Sequence, residues 1–203
     1  MNLFGFLLLL FSITALLYPC YSLYLRHRSR PDVTPFLPYI SSIPVEFLNA
    51  NWIKGYQFEK YIVSKFDRNY FCLFFWNGDK RADGIYPVTS SNPDLEYDYR
   101  DAGSIISFAV ECKWRSQFVN NQVQWAEHDQ IEQYKRYERS SGRIVFVVLG
   151  VGGEPNDPQE MFTVPLSKIP RHMDMLTAEF LAPYKRQNLQ ANFFLNKQAM
   201  RLQ

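Results

Sequence analysis

Disulfide chemistry, dedicated zinc binding and a broadly basic surface all require material that this sequence lacks. Its three cysteines, Cys20, Cys72 and Cys112, are widely separated and form no Cys-x-x-Cys pair. They build neither a disulfide framework nor a zinc cage, and a reducing compartment is the simplest setting. His128 and His172 have no second ligand at metal spacing and read as surface histidines. Positive charge is also scarce: the 203-residue chain carries a net +2, and the first thirty residues hold Arg26, Arg28 and Arg30 with no acid. Removing these three from 22 basic residues leaves 19 against 20 acidic ones, a net of −1 from residue 31 onward. A nucleic-acid glove working by bulk charge is thereby excluded, and any hold on phosphate must come from a local patch or a metal. Apolar and aromatic residues, at 47% and 17%, are plentiful. They exclude disorder for most of the chain and supply the core of one domain with an appendage.

The appendage is N-terminal. Residues 1–25 contain no charged side chain, and residues 3–17 are almost wholly Leu, Phe, Ile and Ala. At about 1.5 Å per residue, the roughly 20 residues needed to cross a bilayer are present. A cleaved signal peptide, which would leave an extracytoplasmic domain, wants Lys or Arg before its core and small residues after it. Here nothing basic precedes the core, and Tyr18, Pro19 and Tyr21 follow it. A retained transmembrane anchor over residues 1–30 is therefore expected. Arg26, Arg28 and Arg30 keep their flank in the cytoplasm, giving a single-pass membrane protein whose domain faces the cytoplasm. Pro31, Pro35, Pro38 and Pro44 make residues 31–50 a semi-rigid linker.

Residues 51–203 read as one α/β domain. Phe58, Tyr61, Ile62 and Phe66 recur at helical spacing and predict a helix over 51–66, with Glu59 at the border of its apolar face. Residues 70–76 form an apolar run closed by Asn77-Gly78-Asp79, which predicts a buried strand. Alternating segments at 94–100 and 105–113 predict a hairpin. A helix is expected over 127–139, ended by Ser140-Ser141-Gly142. Residues 143–150 then read as a strand buried on both faces, and 161–169, with Pro165, as an edge strand. The tail from 177 to 203 looks helical in pieces and contains no repeat. This order predicts a mixed central sheet flanked by helices.

The hairpin carries the chemistry. A turn on Ala102 and Gly103 makes Asp101 face Ser104 and brings Asp94 opposite Glu111. Strand alternation puts Leu95, Tyr97, Tyr99, Ile106, Phe108 and Val110 on one apolar face. The other face receives Asp94, Glu96, Asp98, Glu111 and Lys113, either as a solvated stripe or as a site. Opposed carboxylates repel in a plain sheet, and a divalent cation reverses the sign of that interaction. A hard ion such as Mg²⁺, or Mn²⁺ in its place, takes carboxylate and carbonyl oxygens, so Asp94, Glu111 and the backbone carbonyl of Cys112 are candidate metal ligands. The Cys112 side chain should face the core. Lys113 stands where an ammonium can orient a water and offset charge on a phosphate, unless it serves only as a salt bridge to Glu111.

Ser91-Asn92-Pro93-Asp94, sixteen residues, then Glu111-Cys112-Lys113 resemble the PD-(D/E)XK nuclease superfamily, also called restriction-endonuclease-like. The resemblance implies that Asp94 and Glu111 hold metal and that Lys113 assists the attacking water. Gly55-Tyr56-Gln57-Phe58-Glu59 resembles the opening helix of Mrr-like and Holliday-junction-resolvase-like members, which implies Glu59 as a further metal ligand. Gln130-Ile131-Glu132-Gln133-Tyr134 resembles the Gln-x-x-x-Tyr motif of RecB-like members, which implies substrate-binding roles for Gln130 and Tyr134. Asp83, in a Gly-adjacent turn, is a rival to Asp94. The resemblance spans roughly residues 52–150 and implies a Mg²⁺-dependent nuclease acting on DNA, or on RNA. Lys80, Arg81, Arg115, Lys135, Arg136 and Arg139 are candidates for local phosphate contacts. The competing expectation is a catalytically inactive nuclease-fold module that binds nucleic acid or protein at the membrane.

Overall fold

The structure, a computed structural model, describes residues 50–76, 92–101 and 103–203. The apolar segment 1–30, the linker as far as residue 49, and Lys80, Arg81 and Asp83 lie outside the described residues. Among the described residues no helix is long and apolar enough to cross a membrane.

Helix α1 (Ala50–Ser64) buries Phe58 and Ile62 completely, which is the face that the helical spacing predicts. A tight turn follows, in which the Asp67 carbonyl accepts from the amides of Tyr70 and Phe71. Strand β1 (Phe71–Trp76) comes next. The expectation of a buried strand is corrected here: β1 lies at one edge of the sheet, and Phe74 is exposed at a break in its register. An apolar run alone does not distinguish an edge from a centre.

Strands β2 (Leu95–Asp101) and β3 (Ser104–Arg115) form the expected hairpin. Their pairing runs from Leu95 opposite Val110 to Asp101 opposite Ser104, and Gly103 takes the left-handed conformation (φ 81°) that closes the turn. After the short strand β4 (Gln122–Gln124), helix α2 (His128–Ser141) is the crossover that lets β5 (Ile144–Glu154) run parallel to β3. It ends at Gly142, whose φ of 68° satisfies the Glu138 carbonyl. Strand β6 (Asp157–Pro165) then pairs antiparallel with β5 at the other edge. It starts and stops four residues earlier than expected, because Leu166–Lys168 turn into a 3-10 helix directly after Pro165. The sheet order is β1-β2-β3-β5-β6, a mixed sheet as expected.

Helix α1 covers one face, over Leu95, Tyr97, Phe108, Val110, Phe146 and Val148. Helix α2 covers the other, where Ile131 and Tyr134 meet Ala109, Val145, Val147 and Leu149. Contact on the first face is close: a Cβ at Gly150 of β5 would lie 2.5 Å from the Phe58 ring. The tail is the main departure. Its only α-helix is the four-residue Ala178–Leu181, with a 3-10 turn at Ala182–Tyr184, and turns and irregular chain make up most of the rest around one short strand pair, Leu195–Asn196 with Arg201–Leu202. Phe193, Leu195 and Leu202 complete the core beneath α1, so periodicity gave no guide to a segment ordered by long-range packing.

Candidate functional site

The site arises where two strands part. Strand β3 pairs with β2 only as far as Val110, but with β5 as far as Arg115. Beyond Val110, the edge of β3 that faces β2 has no ladder partner. Asp94, just before β2, fills that role: its Oδ2 accepts the Cys112 N–H at 2.8 Å. Asp94 therefore caps the diverging strand from a bend and is not a member of the ladder. In a paired strand the N–H and C=O of one residue face the same neighbour, so the Cys112 carbonyl is directed to this same edge. The Cys112 side chain packs in the core beneath α1, as expected.

Glu111 is the centre of the arrangement. It is 0% exposed and faces α2. Its Oε1 accepts the Tyr134 hydroxyl at 2.6 Å and lies 2.6 Å from Lys113 Nζ. Its Oε2 is buried with no hydrogen-bond partner. Burial first, then the negative charges of Glu111 and Asp94, hold the Tyr134 phenol well above its ordinary range, so it remains a neutral donor. Lys113 thus meets Glu111 directly, and Asp94 is tied through the Cys112 amide to the residue between them.

The donor set fits a hard divalent ion. Two carboxylates and a main-chain carbonyl meet the oxygen preference of Mg²⁺, which commonly keeps several waters and needs few protein ligands. The buried, unpartnered Glu111 Oε2 is the kind of oxygen such an ion would satisfy. Among the described residues no group of three or more His, Cys, Asp or Glu gathers as a metal cage. Glu59 accordingly does not join Asp94 and Glu111 in a three-acid set. Its Oε2 accepts from Trp76 Nε1 at 2.9 Å, and the Trp76 ring stacks on Tyr56. Glu59 still adds to the negative field at Tyr134.

Other candidates have structural duties. Gln130 Oε1 accepts the Glu127 N–H at 3.1 Å, half of a capping box that starts α2. Tyr134 is 3% exposed and donates its hydroxyl to Glu111. Lys135 is buried and donates to the Leu166 carbonyl, and Arg115 donates to the carbonyls of Gln124 and Trp114. Neither serves as a phosphate contact on a rim, whereas Arg136 and Arg139 are exposed on α2. Glu96 pairs with Arg143 at 2.5 Å and Asp98 accepts from Ser107 Oγ, so the acidic stripe divides into a paired half and the Asp94–Glu111 end. Burial, with Glu96 beside it, pushes Tyr137 up to about 12. The Arg143 and Trp76 partnerships were missed in the sequence because each links elements far apart in the chain. His128 and His172 are exposed.

No protein-family model matches the sequence, and no curated protein is significantly similar to it. Solved structures do resemble it. The 1.6 Å structure of Archaeoglobus fulgidus Hjc, a Holliday junction resolvase from an archaeal hyperthermophile, is similar over 64% of this chain and 93% of its own. The identity is 17% and the TM-score 0.45.

Proposed function

We propose that this chain is a divalent-metal-dependent nuclease that hydrolyses phosphodiester bonds of DNA, held at a membrane by residues 1–30 with its domain in the cytoplasm. The observation that carries the catalytic part is Glu111: a fully buried carboxylate with one oxygen held by Tyr134 and Lys113 and the other without a partner. Asp94, Glu111 Oε2 and the Cys112 carbonyl would hold Mg²⁺ or Mn²⁺. Such an ion offsets charge on the scissile phosphate and makes a water a stronger nucleophile. Tyr134 holds Glu111 by Oε1 and leaves Oε2 for the ion. Lys113 orients the attacking water and faces the charge that builds on the phosphate oxygens. The water oxygen bonds to phosphorus and gives up a proton to solvent, the bond to the leaving oxygen breaks, and that oxygen takes up a proton.

The test is cleavage of plasmid, single-stranded DNA and RNA by the purified protein in Mg²⁺, Mn²⁺ or chelator. DNA cleavage should require metal and fall by about 100-fold or more in Glu111→Gln, Asp94→Asn and Lys113→Ala. Equal cleavage by folded variants would remove these residues from the chemistry. A folded wild type inert on every substrate in both metals would leave the non-catalytic module. The membrane part rests on the uncharged run before Arg26. The full chain should stay in the membrane fraction after alkaline washing, with a reporter fused at Gln203 active inside the cell; activity only outside would reverse the orientation.

A further inference from the structure

The C-terminal segment forms a second charged feature, on the opposite face of the sheet from Glu111. Thr163 of β6 lies two strands across from Cys112, through Val148. Its neighbour Met161 packs with Cys112 in the core beneath α1, whereas Glu111 faces α2. The Thr163 hydroxyl donates to the Leu202 carbonyl at 2.6 Å, joining the strand to the end of the chain. Beside this junction opens a cleft of about 480 Å³. Among the described residues its wall includes three cationic side chains, Lys185, Arg186 and Arg201, and no acidic one. Lys185 is balanced by Glu160 at 2.7 Å. Arg201 donates to the Pro183 carbonyl and lies over the Tyr184 ring.

Arg186 is the anomaly. It is only 7% exposed, stacks 4.2 Å over the Phe193 ring, and donates through Nη2 to the carbonyls of Ala191 at 2.9 Å, Asn188 at 3.3 Å and Asn192 at 3.5 Å. Its Nε and Nη1 are buried with no hydrogen-bond partner, and no described carboxylate forms an ion pair with it. A guanidinium stays charged in proteins, and a buried charge with no counter-ion is costly. Orphaned buried donors of this kind point to an absent ion or water. Arg186 and Arg201 are held by carbonyls and rings but pair with no described carboxylate, and two such guanidinium groups at one cleft match the charge of a phosphate monoester or diester. The cleft is larger than a bare oxyanion needs, and its wall carries Phe194, a phenyl ring 58% exposed to solvent. A planar base stacks favourably on such a ring.

We infer that this cleft binds a nucleotide phosphate, with Arg186 and Arg201 as its charge partners and Phe194 against the base. The ligand is either a free nucleotide or a nucleotide within a strand. Neither case depends on hydrolysis at Glu111, and the test separates the two sites. The full chain carrying Glu111→Gln is titrated calorimetrically in chelator with inorganic phosphate, adenosine monophosphate and a short oligothymidylate. Saturable binding of the mononucleotide identifies the free form, and binding of the oligothymidylate alone identifies a strand. In either case Arg201→Gln should weaken binding at least about ten-fold, and Phe194→Ala should weaken it measurably. Arg186→Gln should do the same if it folds; Arg201, at the cleft wall, keeps the test valid if it does not. No saturable binding of any probe, undiminished binding in folded Arg201→Gln, or phosphate binding as tight as that of both nucleotides would overturn the assignment.

Discussion

Glu111 decides the chemistry at the scale of single residues. A carboxylate buried to 0% exposure with one oxygen unpartnered carries a desolvation cost that its two contacts offset only in part. A cation that binds the folded chain and not the unfolded one relieves that cost, adding about 2.7 kcal/mol when present at about a hundred times its dissociation constant. Mg²⁺ or Mn²⁺ should therefore raise the thermal unfolding midpoint of the wild type. Glu111→Gln should abolish the rise, because the amide either loses the charge or presents a donor to the ion. Glu96→Gln serves as the control, since Glu96 is committed to Arg143. A rise of equal size in Glu111→Gln would place the ion elsewhere. The hairpin register that sets Glu111 beside Lys113 and Asp94 at the end of β2 was legible because alternation and a two-residue turn leave a hairpin only one register. Gln130 was not legible in the same way. A polar residue at a helix start serves a cap and a substrate motif equally well, and only the contact with Glu127 separates them.

Among the elements, the seam between α1 and β5 sets how firmly one wall of the fold is held. Gly150 lies under Phe58, where an added Cβ would come within 2.5 Å of Cε2 and 2.8 Å of Cζ. Phe58 is itself 0% exposed and has nowhere to retreat without moving the helix. Gly150→Ala should destabilise the domain by about 1–3 kcal/mol, the usual cost of overpacking. Denaturant unfolding measures this, and Phe58→Leu in the same chain should recover part of the loss, a coupling that a double-mutant cycle isolates. An unchanged midpoint in Gly150→Ala would mean that α1 does not rest there. Helix α1 was legible from its helical spacing, the β2–β3 hairpin from its alternation, and β5 from its continuous apolar run. The edge position of β1 was not, because its apolar run Phe71–Trp76 has the composition of a central strand. Order within a sheet depends on partners remote in sequence.

On the scale of the whole molecule, the span over which the family resemblance runs, roughly residues 52–150, is not a complete folding unit. Strand β6 covers one side of β5, and the tail closes the core beneath α1. The Phe193 amide donates to the Lys65 carbonyl at 2.8 Å, the Tyr61 hydroxyl to the Leu189 carbonyl at 3.1 Å, and the Arg186 amide to the Met161 carbonyl at 2.8 Å. Phe193, Leu195 and Leu202 are each at most 3% exposed. Burying three such side chains contributes together about 5–9 kcal/mol. A domain of this size is stable by only about 5–15 kcal/mol in total. Ending the chain after Arg186 should therefore leave a protein that is unfolded or aggregates, with loss of the cooperative thermal transition seen by circular dichroism. Substituting Phe193→Ala alone should cost about 3–5 kcal/mol and retain the transition at a lower temperature. A truncated chain that melted at the full-length midpoint would show that the tail is docked on a finished domain. In that case the chain up to Arg186 would fold by itself, and Phe58 and Ile62 would find their core without residues 187–203.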